Sequence, residues 1–137
     1  MNKNKFQKGF TLIELLVVIA IIGILASVLL VNLASTRNKA KDAGIKLEMA
    51  QIRTAMENHY SVGSQYTGGL ATTDVVNLRA DIVLKGGTAT LAGESSGAYC
   101  VEYALNTGGG GNWCVDSTGY SGATANCQTI AADYDCN

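Results

Sequence analysis

The sequence predicts an α+β protein: one long N-terminal helix, apolar in its first half and amphipathic in its second, packed on a small antiparallel β-sheet head with C-terminal disulfides. Three observations carry this. The stretch Leu15 to Thr36, LLVVIAIIGILASVLLVNLAST, has no charged residue and is followed by a helical pattern. Gly, Ser, Thr and Ala dominate from Ser61 onward. All four cysteines, Cys100, Cys114, Cys127 and Cys136, fall in the last third of the chain. A chain of 137 residues has room for one small core and an anchor.

The first element is the apolar run, long enough as a helix to cross a hydrocarbon layer of about 30 Å. Lys3, Lys5 and Lys8 precede it and place the N-terminus in the cytoplasm, although Arg37, Lys39, Lys41 and Lys46 beyond it weaken that asymmetry. The cysteines then lie on the outer, oxidising side, which suits disulfides. A secretory signal peptide, a plain single-span anchor and the buried helix of a soluble core all leave Glu14 unexplained. An acid at the edge of an apolar span costs up to roughly 3 kcal/mol at mid-membrane and less near the interface, so it is a functional suspect in need of a partner.

The helix continues as an amphipathic segment. Ile45, Met49, Ile52, Met56 and Tyr60 recur at helical spacing, while Lys41, Asp42, Lys46, Glu48 and Arg53 are expected to face away. One helix from Phe10 to about Tyr60 would be roughly 75 Å long. Asp42 and Lys46 stand four residues apart and are expected to pair. The chain has no proline, and Gly23 and Gly44 are the weak points, each costing up to about 1 kcal/mol against alanine. Gly23 also suits close packing of helices.

In the head, Tyr99–Leu105 and Asn112–Asp116 alternate apolar with polar or small residues around a loop from Asn106 to Gly111, a β-hairpin pattern. Ile82–Leu84 and Thr88–Leu91, separated by Lys85, Gly86 and Gly87, predict an earlier hairpin. The result is a sheet of three or four strands against the second half of the helix. Four cysteines allow three pairings, and spacing alone does not choose among them. The expected set is Cys100–Cys114, across neighbouring strands, and Cys127–Cys136, closing the tail. Each would contribute roughly 2 to 4 kcal/mol to a head poor in apolar surface. A zinc site is disfavoured: there is no C-x-x-C pair, and the one histidine, His59, lies far upstream.

Charge and composition exclude several function classes. The net charge is −1, and beyond Lys85 there is no Lys or Arg while Glu94, Glu102, Asp116, Asp133 and Asp135 make that end acidic. No nucleic-acid partner is expected from such a surface. No Ser/His/Asp spacing or phosphate loop is present, so neither a catalytic residue nor a cofactor is expected, and the chain does not read as an enzyme. Gly108 to Gly111 lacks a following lysine and helix and reads as a hairpin loop. Asp116, Asp133 and Asp135 are the acids to weigh for calcium, with solvated turns the commoner use, and no metal site is assigned. Trp113 and the six tyrosines are expected in the small core.

The residues KGFTLIELLVVIAIIGILASVLL, Lys8 to Leu30, closely resemble the start of type IV prepilins and of the related pseudopilins of secretion systems. The resemblance covers the leader and most of the first helix closely, and the rest only in general layout. It implies a pilin-like lollipop divided into a leader, 1–9, a membrane or filament-core half-helix, 10–36, an amphipathic half, 37–62, and a head, 63–137. It further implies that a prepilin peptidase cuts between Gly9 and Phe10 on the cytoplasmic side and methylates the new amine of Phe10. Glu14 matches the acid that the family carries four positions beyond that amine. The implied partners are the peptidase and N-methyltransferase, the lipid bilayer before assembly, the assembly machinery of the inner membrane, and further copies in a helical filament outside the cell. Family members often carry a proline in the first half of the helix, where this chain has Val31 and Asn32, and they commonly staple the C-terminal region with disulfides.

The physics of the start stands apart from the family. A cut before Phe10 leaves an ammonium at the mouth of an apolar helix, with Glu14 as its natural counter-charge. In a dry filament core pairing offsets a desolvation cost of several kcal/mol per ion. The partner amine can belong to a neighbour or to the same chain, one helical turn away. The leading reading is a structural subunit of a type IV pilus. The alternatives are a pseudopilin of a type II secretion system, a DNA-uptake (competence) pilin, which would want a basic head, and a plain anchored surface protein with an uncut leader.

Overall fold

The computed structural model describes residues 9–107, 111–124, 127–128 and 134–136. Lys3, Lys5, Lys8 and the rest of 1–8, the Gly108–Gly110 part of the expected loop, and Asp133 lie outside the described residues. The chain forms two compact units, residues 1–36 and 37–137.

Helix α1 runs from Leu12 to Gly63. Among the described residues it is the one helix long and apolar enough to cross a membrane. In the first unit its apolar side chains stand exposed, Ile24 at 68 % and Leu29 at 71 %. So much contiguous apolar surface needs lipid or other protein around it.

In the second unit Ile45, Met49, Ile52 and Met56 of α1 are wholly buried, as their spacing requires. Two residues expected to face away do not. Asp42 and Glu48 are buried too, because each lies three residues from Ile45 and so borders the buried stripe. The expected pair of Asp42 with Lys46 does not form. Asp42 turns to Asn106 and Thr107, Glu48 pairs with Lys85, and Lys46 places its ammonium 4.3 Å from the centre of the Trp113 ring.

The expected hairpin through Ile82–Leu84 is corrected: those residues end a second helix, α2, Thr73–Leu84. Val75, Leu78 and Ile82 recur at helical spacing, and Val75 and Ile82 are buried. Gly86 and Gly87 are the stop signal of that helix and not a strand turn. Gly86 donates its N–H to the Val83 carbonyl at 2.9 Å and Gly87 to that of Ile82 at 3.0 Å, with Gly86 at φ 92°, which is a Schellman ending.

The sheet is an antiparallel meander of β1 Thr88–Glu94, β2 Tyr99–Ala104, β3 Asn112–Asp116 and β4 Ser121–Thr124, in that spatial order. The β2–β3 hairpin forms as expected, with Val101 opposite Val115 and Tyr103 opposite Trp113. Side chains alternate across the strands. Tyr99, Val101, Tyr103 and Val115 join α1 and α2 in one core, with the Tyr66 ring tilted against those of Tyr99 and Tyr60 at centroid distances of 4.9 Å and 4.6 Å. A short 3-10 turn, Gly69–Ala71, is held by Glu94, whose carboxylate accepts the N–H groups of Gly68 and Leu70.

Cys100, Glu102, Cys114 and Asp116 point to the opposite face, where the cysteines form a second buried cluster. The disulfides are Cys100–Cys127 and Cys114–Cys136, in place of the expected Cys100–Cys114 and Cys127–Cys136. Strand register explains the difference. Cys100 lies opposite Asp116, and Cys114 opposite Glu102, so the two sheet cysteines are diagonal neighbours. Diagonal residues stand about 7 Å apart, beyond the roughly 4 Å between Cβ atoms that a disulfide spans. Both therefore reach into the tail.

Candidate functional site

Gly9 and Phe10 precede the helix and are exposed, Phe10 at 84 %. The helix start beside them is fixed by a reciprocal cap. The Thr11 hydroxyl accepts the Glu14 N–H at 3.2 Å, while the Glu14 carboxylate accepts the Thr11 N–H at 2.9 Å and the Thr11 hydroxyl at 2.8 Å. This capping box satisfies donors that a helix end leaves free and puts a negative group at its positive pole. The Gly9–Phe10 bond thus lies just outside the helix. Among the described residues a Cβ on Gly9 would meet nothing within 4 Å, so no packing against them demands glycine there.

Within the chain, then, Glu14 has a partner, Thr11, that sequence reasoning missed. The signal was present: Thr11-Leu-Ile-Glu14 is the S/T-x-x-E pattern ahead of an apolar run. The cap holds the carboxylate beside the residue that follows Phe10. Farther along the apolar stretch, Gly23 opens one side of the helix, with nothing within 4 Å of a built Cβ. The Ser27 hydroxyl donates to the Ile24 carbonyl at 2.8 Å and so presents no free donor to an apolar surrounding.

The other polar candidates sit in the second unit and have structural partners. The His59 ring meets the Thr67 carbonyl at 3.1 Å. Asp116 accepts from Thr118 N–H, Thr118 hydroxyl and Tyr120 N–H on one oxygen and from Cys136 N–H on the other. Both of its oxygens are engaged within the chain, and among the described residues no three metal-ligating side chains cluster. Asp42 accepts four hydrogen bonds, from Asn106 N–H at 2.7 Å, the Asn106 amide at 3.0 Å, Thr107 N–H at 3.0 Å and the Thr107 hydroxyl at 2.6 Å. Burial pushes this carboxyl up, but the bonds from Thr107 and Asn106 together outweigh it and hold it below the ordinary range.

An apolar, capped helix that needs surroundings, joined in sequence to a disulfide-stapled sheet unit, defines a class: small anchored subunits whose helices pack in a membrane or with one another. Comparison with known proteins makes this particular. The profile described as the prokaryotic N-terminal methylation motif matches residues 4–30. The type IV wide pilus major component of Thermus thermophilus is 35% identical over 94 residues, covering 69% of this chain and 70% of that protein. A type IV major fimbrial protein of Dichelobacter nodosus is 34% identical over 108 residues, covering 76% and 67%. The type II secretion system core protein G of Klebsiella michiganensis matches less of each chain, 34% over 64 residues, 47% and 45%. No solved structure matches the chain. The chain belongs to the type IV pilin family, and its role is that of a structural subunit.

Proposed function

We propose that this pilin is made with the leader 1–9, is held in the inner membrane with its N-terminus in the cytoplasm, is cut between Gly9 and Phe10 and is methylated on the Phe10 amine. It then leaves the bilayer, and the 10–36 half-helices of many copies pack into the core of an extracellular pilus while 37–62 and the 63–137 head form its outer part. It acts as a building element and not as an enzyme, with prepilin peptidase and the inner-membrane assembly machinery as partners. The observation that carries this is the capping box, which supports a scissile bond outside the helix and an acid beside the new amine. The cut places an ammonium at the positive pole of the helix, an unfavourable position that Glu14 offsets in its own chain or a neighbour's.

The test is the intact mass and N-terminal residue of the protein from its native cells. A start at N-methylated Phe10, with a four-hydrogen deficit for two disulfides, is expected. A start at Met1, or one after the apolar run, overturns the mechanism. The match to a secretion-system core protein keeps a second reading, a pseudopilin. Long surface filaments that an antibody against the head labels support the pilus; their absence in cells that process the chain supports the pseudopilin.

A further inference from the structure

The same tripeptide pattern occurs twice on the sheet face opposite the core: Cys100-Val-Glu102 on β2 and Cys114-Val-Asp116 on β3. Cys127 bonds Cys100 through sulfur and donates its own N–H to Glu102 Oε2 at 2.6 Å. Cys136 bonds Cys114 and donates its N–H to Asp116 Oδ2 at 2.9 Å. Each tail cysteine is therefore held twice, by sulfur and by amide, on residues i and i+2 of a single strand. Both carboxylates are 1 % exposed.

The carboxylates are also set by partners that do not belong to the tail. Glu102 Oε1 accepts the Asn112 side-chain amide from the neighbouring strand, and Asp116 Oδ1 is fixed by the turn at Thr118 and Tyr120. Of the three pairings, register removes Cys100–Cys114. The other two are the observed set and its crossed form, Cys100–Cys136 with Cys114–Cys127. Cys127 and Cys136 are bridge partners of each other, so sulfur proximity alone discriminates poorly between them.

We propose that Glu102 and Asp116 are positioning residues that select the disulfide pairing. Each captures the N–H of one tail cysteine while that cysteine is still a thiol, which presents Cys127 sulfur to Cys100 and Cys136 sulfur to Cys114. The acids differ by one methylene, so the longer arm fits one tail amide and the shorter the other. For each bond, one cysteine thiolate attacks a disulfide oxidant and releases a thiolate from it. The partner thiolate then displaces the second. Two electrons pass to the oxidant, and the two protons given up by the cysteines end on its two released sulfurs, so that it leaves as two thiols with no net proton to solvent. In the crossed form each tail amide meets the acid of the other strand, whose arm is one methylene too long or too short, and the poorer hydrogen bond disfavours that form.

The test reduces the full-length chain in detergent, reoxidises it with glutathione disulfide, and maps the bonds by peptide mass without reduction. The wild-type chain is expected to return the observed pairing. Glu102→Gln with Asp116→Asn, and separately the arm-length exchange Glu102→Asp with Asp116→Glu, are expected to raise the crossed fraction about tenfold, the equivalent of roughly one hydrogen bond. Core folding is followed independently by near-ultraviolet circular dichroism. Regain of the core signal with wild-type pairing in both variants overturns the proposal. Failure of both to regain the core signal also overturns it, since the acids would then act in folding at large and not in selection.

Discussion

Replacing Asp42 by asparagine tests how the loop after β2 is tied to α1. Asparagine keeps the shape but offers one acceptor oxygen where the carboxylate offers two, and it turns an NH2 group toward groups that also donate. Of the four donors on Asp42, the Thr107 hydroxyl can rotate away and the Asn106 side-chain amide keeps the Lys85 carbonyl, which leaves the Asn106 and Thr107 backbone N–H groups competing for one oxygen. Hydrogen bonds to a charged group contribute about 1.5–3 kcal/mol each. Losing one outright and weakening a second gives roughly 3 kcal/mol, and for a unit of this size a Tm lower by about 12–20 °C. The assay is thermal unfolding of the full chain in detergent, followed by the near-ultraviolet signal of Trp113 and the tyrosines. The pH dependence has a definite sign. Because the folded carboxyl lies below its ordinary value of 3.8, its contribution is complete above that value and is lost as pH falls through the folded pKa. The gap between wild type and variant should close in acid, below about pH 4. A Tm change under about 3 °C at neutral pH, or a gap that persists unchanged into strong acid, refutes the reasoning.

Gly86→Ala is expected to cost about 2–4 kcal/mol, since the position holds φ 92° and a Cβ would stand 2.3 Å from the Asn106 side-chain oxygen. Asn106 bonds both Asp42 and the Lys85 carbonyl, so the loss should be smaller in an Asp42→Asn background; strict additivity of the two Tm shifts would refute the shared network. Alkaline titration should show two late tyrosines. Burial, and then the hydrogen bond and charge of Glu57, push Tyr66 up to about 12 from 10.0, and burial first of all pushes Tyr99 higher still. Raised values mean that their contribution is whole below pH 10 and lost as pH rises through the folded pKa, so tyrosinate absorbance should rise late and together with unfolding. Tyr66→Phe should remove one late step, and six equivalent early steps would refute the assignment.

What was legible in the sequence was what short-range periodicity encodes. Ile45, Met49, Ile52 and Met56 define a helical stripe whatever they touch, and the alternation in Tyr99–Leu105 and Asn112–Asp116 defines a hairpin. Misreadings came where one local signal served two structures. A Gly-Gly pair after an apolar triplet suits a strand turn and equally a Schellman ending, and only the earlier Val75 and Leu78 decide for the helix. The Thr11 cap is local and is encoded in the T-x-x-E spacing, but the same carboxylate is equally well placed as a counter-charge to an amine, and the sequence alone does not separate the two uses. That the four C-terminal cysteines form two disulfides was legible, but their pairing was not, since a diagonal in place of an opposite position depends on register, a property of two strands together.

The buried acids share a logic that charge counting along the chain does not show. With 16 glycines and no proline, this sequence loses much backbone entropy on folding and has few apolar side chains with which to hold irregular segments. The structure uses carboxylates instead. Asp42 ties down the loop after β2, Glu94 the 3-10 turn, Asp116 the turn after β3, and Glu102 and Asp116 the stapled tail. In each case the acid lies on a helix or strand and accepts backbone N–H groups from residues outside the α-helices and the sheet. A carboxylate can take several donors at once, main-chain N–H groups together with the Asn106 amide and the Thr107 and Thr118 hydroxyls, so one acid fixes a whole turn. In a structural subunit of this family, such a head holds its loops through a few acids placed on its helix and strands.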